Sequence, residues 1–515
     1  MTRKYPIGLQ SFRKIREEGF LYIDKTEYIH QLVAFGNYFF LSRPRRFGKS
    51  LLLATVKELF SGSRELFEGL WIYDHWDWEQ NHPVIHLRIS RANYQDHGLA
   101  EALSRELDEV AEELGIQLSE KTPKDKFKEL IKKSSVNQKV IILVDEYDKP
   151  MVDYLDDSEK VAENREIFRN FYSILKDADD QIRFLLITGV SRFSKVGIFS
   201  SLNNLEDISM VENMNELVGI TQQELEKTFI PEIDKWAERE EMSREEKLAE
   251  VKEWYNGYSW GGEHTVYNPF SLLSYMKYGH FDNFWIDTGA PSFLIQDVRK
   301  RPSSYLFKNE DITVGAQSLK DYNTEAIDTT ALMFQTGFLT VKKAEWKTQT
   351  FTLGYPNKEV KQSVLDFIAA GFTFINPGHI LPKVDNLRMA FIRNDIPYVI
   401  EVLDTLFISI PNPVWIGATE RFFHGIIFNT FQLLGINQES EISNAVGRLD
   451  IAVKTNTHIY ALEFKLDKTA DEALNQILDS SYLKPYQLDP RQKVAIGINF
   501  SSKMKSVAEY LVKEL

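Results

Sequence analysis

Two short stretches of this 515-residue chain carry residue types at spacings that could do chemistry. The first is R-P-R-R-F-G-K-S, Arg43 to Ser50, which follows the apolar run Tyr38–Ser42 and opens the helical run Lys49–Phe60. A glycine-lysine-serine triplet between a strand and a helix receives phosphate on backbone N–H groups and on the helix amino terminus. In that reading Lys49 reaches the β- and γ-phosphates, the Ser50 hydroxyl ligates magnesium, and Gly48 allows close backbone approach. Arg43 stands where the first glycine of G-x-x-x-x-G-K-[ST] belongs, so the strict pattern is broken and a charged turn competes. Further on, V-I-I-L-V-D-E-Y-D ends an apolar run in Asp145-Glu146. Such an aspartate can hold magnesium, and the neighbouring glutamate can polarise an attacking water. Solvated loop acids explain either motif alone; the two together, in this order and spacing, weigh against that. Thr188 and Ser191-Arg192 lie where a γ-phosphate sensor would sit, with a helix cap and a surface arginine as the rival reading.

The second stretch is Gly447 to Lys465. Leu449–Val453 and Ile459–Phe464 read as strands around the turn-prone Lys454-Thr-Asn-Thr-His458. If Asn456-Thr457 form a two-residue loop, Thr455 faces His458 and Asp450 falls opposite Glu463. The period of two then brings Lys465 to the same face. A bulge or a longer loop would shift that register. Two carboxylates about 5 Å apart repel by roughly 3 kcal/mol at an effective dielectric of about 20, so the pair wants a cation. All-oxygen ligation favours magnesium or manganese over zinc. With Lys465 beside it, the site could orient water against a phosphodiester and stabilise the charge that develops. A salt-bridged hairpin, Asp450 or Glu463 with Arg448 or Lys465, is the alternative. The E-x-K triplet by itself is cheap, recurring at Glu245–Lys247, Glu345–Lys347 and Glu359–Lys361.

The elements around these stretches point to an α/β fold. Over the first two hundred or so residues, short apolar runs (Tyr38–Ser42, Val84–Ile89, Val140–Val144, Phe184–Ile187) alternate with helical patterns such as Lys124–Lys133 and Glu163–Ala178, as in a parallel sheet. Val84–Ile89 separates the two motif strands along the chain and Phe184–Ile187 follows. That order suits nucleotide hydrolases in which a further strand lies between the phosphate-loop and Asp-Glu strands. From Asn213 to Lys277 the pattern is helical and charged, with Glu238–Lys247 read as a solvated helix face and Trp254–Gly262 as a turn-rich connection. The alternating segments Gly337–Lys342 and Thr350–Leu353 follow, and the last region reads as helices, two strands and more helices. The balance of 61 basic and 75 acidic residues gives a net charge of −14. This balance argues against a general basic coat for nucleic acid, so any DNA contact must come from a local patch. Absence of cysteine excludes disulfides, thiolate zinc sites and cysteine nucleophiles. No signal-peptide h-region and no run long enough for a membrane helix are found, so the expectation is a cytoplasmic chain without membrane contact.

Taken together, Pro6–Thr26, RPRRFGKS and VDEYDKP, with YNGYSW (Tyr255–Trp260), VYNPFSLL (Val266–Leu273) and FQTGFLTV (Phe334–Val341), resemble the bacterial AAA-ATPase-like family fused to a PD-(D/E)XK nuclease-like domain. The resemblance covers nearly the whole chain. It implies a P-loop NTPase-like parallel sheet and a restriction-endonuclease-like domain; with the pattern along the chain, the expected division is 1–212 for the first, 213–280 for a helical lid, 281–381 for an accessory region, winged-helix-like or otherwise, and 382–515 for the second. In that family the Arg-Pro-Arg-Arg loop is usual, which makes Arg45 and Arg46 phosphate neighbours beside Phe47, Gly48, Lys49 and Ser50, with a surface arginine the simpler reading for Arg45. D-x12-E-x-K matches Asp450, Glu463 and Lys465; Glu420 matches the preceding helix glutamate, with His424 one turn on. Gln476 and Tyr482 match the Q-x5-Y helix that follows. The implied cofactors are ATP and magnesium, with manganese an option at the nuclease site, and the implied partner is DNA more than RNA. A homo-oligomer is left open. The rival from another class is a signalling ATPase whose last domain only recognises a partner.

Overall fold

In the computed structural model, the described residues are 3–154, 157–191, 198–199, 202–285, 312–320, 329–373, 380–408, 437–444, 447–479, 483 and 486–515. Within them, 320, 368–373, 380–385, 406, 437–444 and 447–450 are described by their backbone alone. The chain divides into two compact units, 1–288 with 310–360, and 289–309 with 361–515.

The first unit is organised by a five-stranded sheet of β1 (Tyr38–Ser42), β2 (Val84–Arg88), β3 (Val140–Asp145), β4 (Ile182–Gly189) and β5 (Glu206–Asp207). Its order is β2-β3-β4-β1-β5, and every pairing is parallel. All residues of β1 and β3 are buried, as expected of strands covered on both faces. The strand lying between β1 and β3 in space is β4, not the run that lies between them in sequence. Ser42, Asp145 and Gly189 therefore end at one edge of the sheet, with α1 (Lys49–Phe60) rising from the loop after β1.

Three further helices form a separate small core in the same unit: α2 (Gln222–Arg239), α3 (Arg244–Tyr255) and α4 (Pro269–Tyr278). Capping boxes at Thr221/Glu224 and Ser243/Glu246 start the first two, and Asn268 with Pro269 starts the third. The run Glu238–Lys247 is not one solvated face. It turns the corner between α2 and α3, and Lys247 is fully buried, its ammonium held by Glu240 at 2.6 Å and Glu250 at 2.5 Å.

A small antiparallel sheet, β6 (Ile312–Gly315), β7 (Thr340–Glu345) and β8 (Thr350–Gly354) in the order β6-β8-β7, accompanies α5 (Thr329–Thr336). The alternating segments of the sequence form its hairpin. Helix α6 (Lys358–Thr373) follows.

The second unit contains a mixed sheet, β13-β12-β11-β10-β9. Its strands are β9 (Asn437–Asn444), β10 (Gly447–Lys454), β11 (His458–Leu466), β12 (Gln492–Ser501) and β13 (Ser506–Glu514), with α7 (Ala470–Asp479) between β11 and β12. Two strands followed by helices were expected, so β9, β12 and β13 correct that reading. The sequence of β13, SVAEYLVKE, carries apolar residues three and four apart and so imitates a helix face. Pairing with β12 overrides that local preference.

Candidate functional site

The loop after β1 is shaped by two left-handed residues, Arg46 (φ 66°) and Gly48 (φ 94°). Gly48 caps α1, and its requirement for glycine is conformational, because open space surrounds the position a Cβ would take. Glu146, in the other motif, is also left-handed at φ 53°. Non-glycine residues held at positive φ concentrate at functional sites, and here two of them line one cavity.

That cavity, about 330 Å³, is lined by Arg46, Gly48, Lys49, Ser50, Glu146 and Asp148, with Pro269 and Phe270 from α4 closing it. Its volume falls within the range of small-molecule sites. The Lys49 ammonium lies over its own loop, donating to the carbonyls of Arg43 (2.8 Å) and Pro44 (2.9 Å). Burial lowers its pKa, against the opposing pull of Glu146, Asp145 and Asp148. Asp145 is buried, accepts a hydrogen bond from Thr188 Oγ1 at 2.9 Å, and is hydrogen-bonded to Ser50 as well. Burial raises its pKa. A hydroxyl and a carboxylate already in contact form an oxygen donor pair of the kind magnesium takes.

Several expectations are sharpened. Arg43 is no phosphate ligand: fully buried, it donates to the carbonyls of Ser42 (2.8 Å), Ser209 (2.8 Å) and Met214 (3.2 Å) and stacks on Trp260 at 3.8 Å. Phe47 is likewise buried, edge-on to Tyr258 and Trp260, which leaves only its backbone for a phosphate. Arg46 is exposed and lies over Phe270, 5.1 Å from the ring centre, at the cavity rim. Thr188 touches Asp145, so its position does not depend on a helix cap. Ser191 instead serves Asp148, and Arg192 lies outside the described residues.

Asp148 escaped sequence reasoning. Wholly buried, it accepts from Val190 N–H (3.0 Å), Ser191 N–H (2.6 Å) and Ser191 Oγ (2.6 Å), tying the segment after β4 to the segment after β3. A second aspartate in V-D-E-Y-D, next to Tyr147, was the available signal. Also unforeseen is an apolar cleft of about 100 Å³ next to the cavity, lined by Tyr22, Ile23, Leu52, Val218 and Ile220 and sharing Gly48, Leu51, Pro269 and Leu273 with it. Its walls come from four separated segments, which no local motif could reveal.

In the second unit, Thr455 N–H donates to His458 O at 2.9 Å, closing the two-residue loop. The pairs Lys454↔Ile459 through Ile451↔Leu462 follow in register. Continued by one residue, this register sets Asp450 across from Glu463; the Asp450 and Arg448 side chains lie outside the described residues. Glu463 is 1% exposed, and Lys465 Nζ donates to its Oε1 at 3.0 Å. The neighbouring strand pairs Glu463 with Gly497. A Cβ on Gly497 would collide with the Ala470 carbonyl and lie 2.5 Å from Leu474 N, so α7 packs directly on this face. Ala452, Ala461, Ala495 and Ile477 form the cluster beneath it. Gln476 is half-buried on that covering helix. Glu420, His424 and Tyr482 lie outside the described residues.

A parallel sheet whose phosphate-type loop and Asp-Glu strand flank a third strand, followed along the chain by a mixed sheet carrying an E-x-K strand, defines an NTPase-like region joined to a nuclease-like one. Residues 6–199 match the family described as Predicted AAA-ATPase, and residues 418–510 match the PD-(D/E)XK nuclease superfamily. A protein of Azotobacter chroococcum mcd 1, described as an uncharacterized protein in the vnfD 5' region, is 36% identical over 525 residues, covering 100% of this chain and 99% of its own length. The chain belongs to the family that fuses an AAA-ATPase-like region to a PD-(D/E)XK nuclease-superfamily region. No solved structure matches it. Among the described residues, no helix is long and apolar enough to cross a membrane.

Proposed function

We propose that this protein binds and hydrolyses ATP, and that its nucleotide state controls a magnesium-dependent nuclease acting on DNA phosphodiesters in the cytoplasm. The observation that carries the first half is the meeting of Lys49, Ser50 and Glu146 on one cavity at the carboxyl ends of β1 and β3. Backbone N–H groups of the Phe47–Ser50 turn and the amino terminus of α1 suit the β-phosphate. Lys49, now bonded to loop carbonyls, would exchange those partners for phosphate oxygens. Arg46 fits a contact at the rim, and the adjacent apolar cleft suits the base. Glu146 is the candidate for orienting the attacking water. Magnesium, when held by Ser50 and Asp145, supplies charge neutralisation on the β/γ-phosphates.

The second half is supported by the hairpin register from Lys454↔Ile459 to Ile451↔Leu462, which continued by one residue would align Asp450 with Glu463, and by Lys465 at 3.0 Å from Glu463. These two acids are the proposed seat for magnesium or manganese, with Lys465 stabilising charge on the phosphodiester. Glu420, from the segment before the hairpin, and Gln476, from α7 after it, are proposed as further participants. We assign the roles of lid to 213–280, of accessory region to 281–381 and of nuclease to 382–515. Plasmid cleavage with magnesium, with and without ATP, tests the proposal on wild type, Lys49→Ala and Asp450→Ala. Cutting by wild type that disappears in Asp450→Ala and responds to Lys49→Ala is expected. Cutting that survives Asp450→Ala removes the metal assignment, and indifference to Lys49→Ala removes the coupling. ATP binding with no cutting by wild type favours a signalling switch instead.

A further inference from the structure

Three sequence motifs carry no chemical step in this reading: YNGYSW, VYNPFSLL and FQTGFLTV. In the structure all three converge on the phosphate loop. Pro269 and Phe270 of the second wall the cavity itself. The other two pack against the loop residues that do not face it. Tyr258 and Trp260 enclose Phe47, and Trp260 stacks on Arg43. Gly337 presses on Pro44 so closely that a Cβ there would lie 2.6 Å from Pro44 Cγ and 3.4 Å from Trp285.

Trp285 completes this backing in a particular way. Its indole Nε1–H donates to the carbonyl of Arg45 at 3.0 Å, at the crown of the phosphate loop. Its backbone N–H donates to Glu359 Oε1 at 2.7 Å. Glu359 is fully buried, and the same oxygen accepts from Ser271 Oγ of α4 at 3.1 Å. Glu359 is the second residue of α6, which runs on to Thr373, and from Lys361 onward the chain belongs to the second compact unit. One tryptophan is thus bonded at one end to the loop that would receive triphosphate, and at the other to the start of the helix that leads out of the first unit.

We propose that Trp285 is a positioning residue that transmits the nucleotide state of the Arg43–Ser50 loop to α6 through Glu359. This rests on the ATP-binding reading of that loop and names the route by which the two halves communicate. When Lys49 leaves the Arg43 and Pro44 carbonyls for a phosphate, the loop backbone must rearrange beside the Arg45 carbonyl, and the indole N–H follows it or loses its acceptor. A buried donor left without a partner is costly, so the loop and α6 shift together.

The measurement is hydrogen–deuterium exchange of the full chain with and without magnesium-ATP, read over 358–373, alongside equilibrium ATP binding. Wild type is expected to bind ATP and to change exchange in 358–373. Trp285→Phe, which keeps an aromatic ring, though a smaller one, and loses the N–H, is expected to bind ATP within about threefold of wild type yet lose that change. Glu359→Gln, which keeps an acceptor oxygen without the charge, is expected to retain it at least in part, and serves as the second probe should Trp285→Phe fold poorly. Wild type that binds ATP without any change in 358–373 overturns the relay alone, as does Trp285→Phe with the full wild-type response or Glu359→Gln with none. Wild type that binds no ATP overturns the nucleotide reading and the relay with it.

Discussion

Replacing Asp148 with alanine is expected to cost the first unit about 3–5 kcal/mol of stability. The carboxylate is 1% exposed and accepts from three donors, Val190 N–H, Ser191 N–H and Ser191 Oγ–H, at 2.6–3.0 Å. Each donor stranded in the interior costs roughly 1–3 kcal/mol. The loss is partly offset because the wild type must keep a charge out of water, which is why burial pushes the Asp148 pKa up. Asp148→Asn keeps one acceptor oxygen but turns an NH2 group toward donors, and about 2 kcal/mol is the expected loss. Chemical denaturation followed by near-ultraviolet circular dichroism measures both, with unchanged m-values expected. Because Val190 and Asp148 both line the cavity beside Lys49, the proposed ATP affinity should fall with the loss of order. A shift below about 1 kcal/mol for Asp148→Ala would refute the reasoning, since three unpaired interior donors cannot be that cheap.

Asp366 is buried, and burial pushes its pKa up to about 7. The folded state keeps a proton that an unfolded carboxyl sheds near pH 4, so stability falls as pH rises from about 4 to about 7 and is flat above. Asp366→Asn should remove that slope and raise stability at pH 8 by up to about 4 kcal/mol, checked by denaturation across pH. Glu146→Gln should leave ATP binding within a few-fold and slow hydrolysis by at least about a hundredfold, read as phosphate release; unimpaired turnover would dismiss Glu146 as the water-orienting group. Gly497→Ala should destabilise the second unit by roughly 1–3 kcal/mol, because the methyl meets the Ala470 carbonyl and Leu474 N; a neutral result would mean that α7 gives way easily.

How much of this was legible in the sequence depends on whether the cause was local. Strands β1 to β4 announced themselves as short apolar runs, unbroken in Val140–Val144 where both faces are covered, whereas β5, the acid pair Glu206-Asp207, carried no such signal and was missed. The Thr455–His458 turn fixed its own register, because two residues between two strands leave little choice of pairing. Arg43 looked like a defect in a glycine pattern, yet it is a buried anchor whose three carbonyl acceptors and stacking partner lie as far as 217 residues on, at Trp260 (260 − 43). The apolar cleft beside the loop draws on equally distant segments. In β13 the local pattern argued for a helix and the neighbouring strand decided otherwise.

The claim on which the account turns is that the loop ending in Lys49 holds triphosphate, and titration of the full chain with magnesium-ATP tests it most directly. Saturable one-to-one binding by wild type, weakened at least about tenfold in Lys49→Ala while the fold by circular dichroism is kept, is the predicted result. Equal affinity for both proteins, or no binding by the wild type, would contradict it.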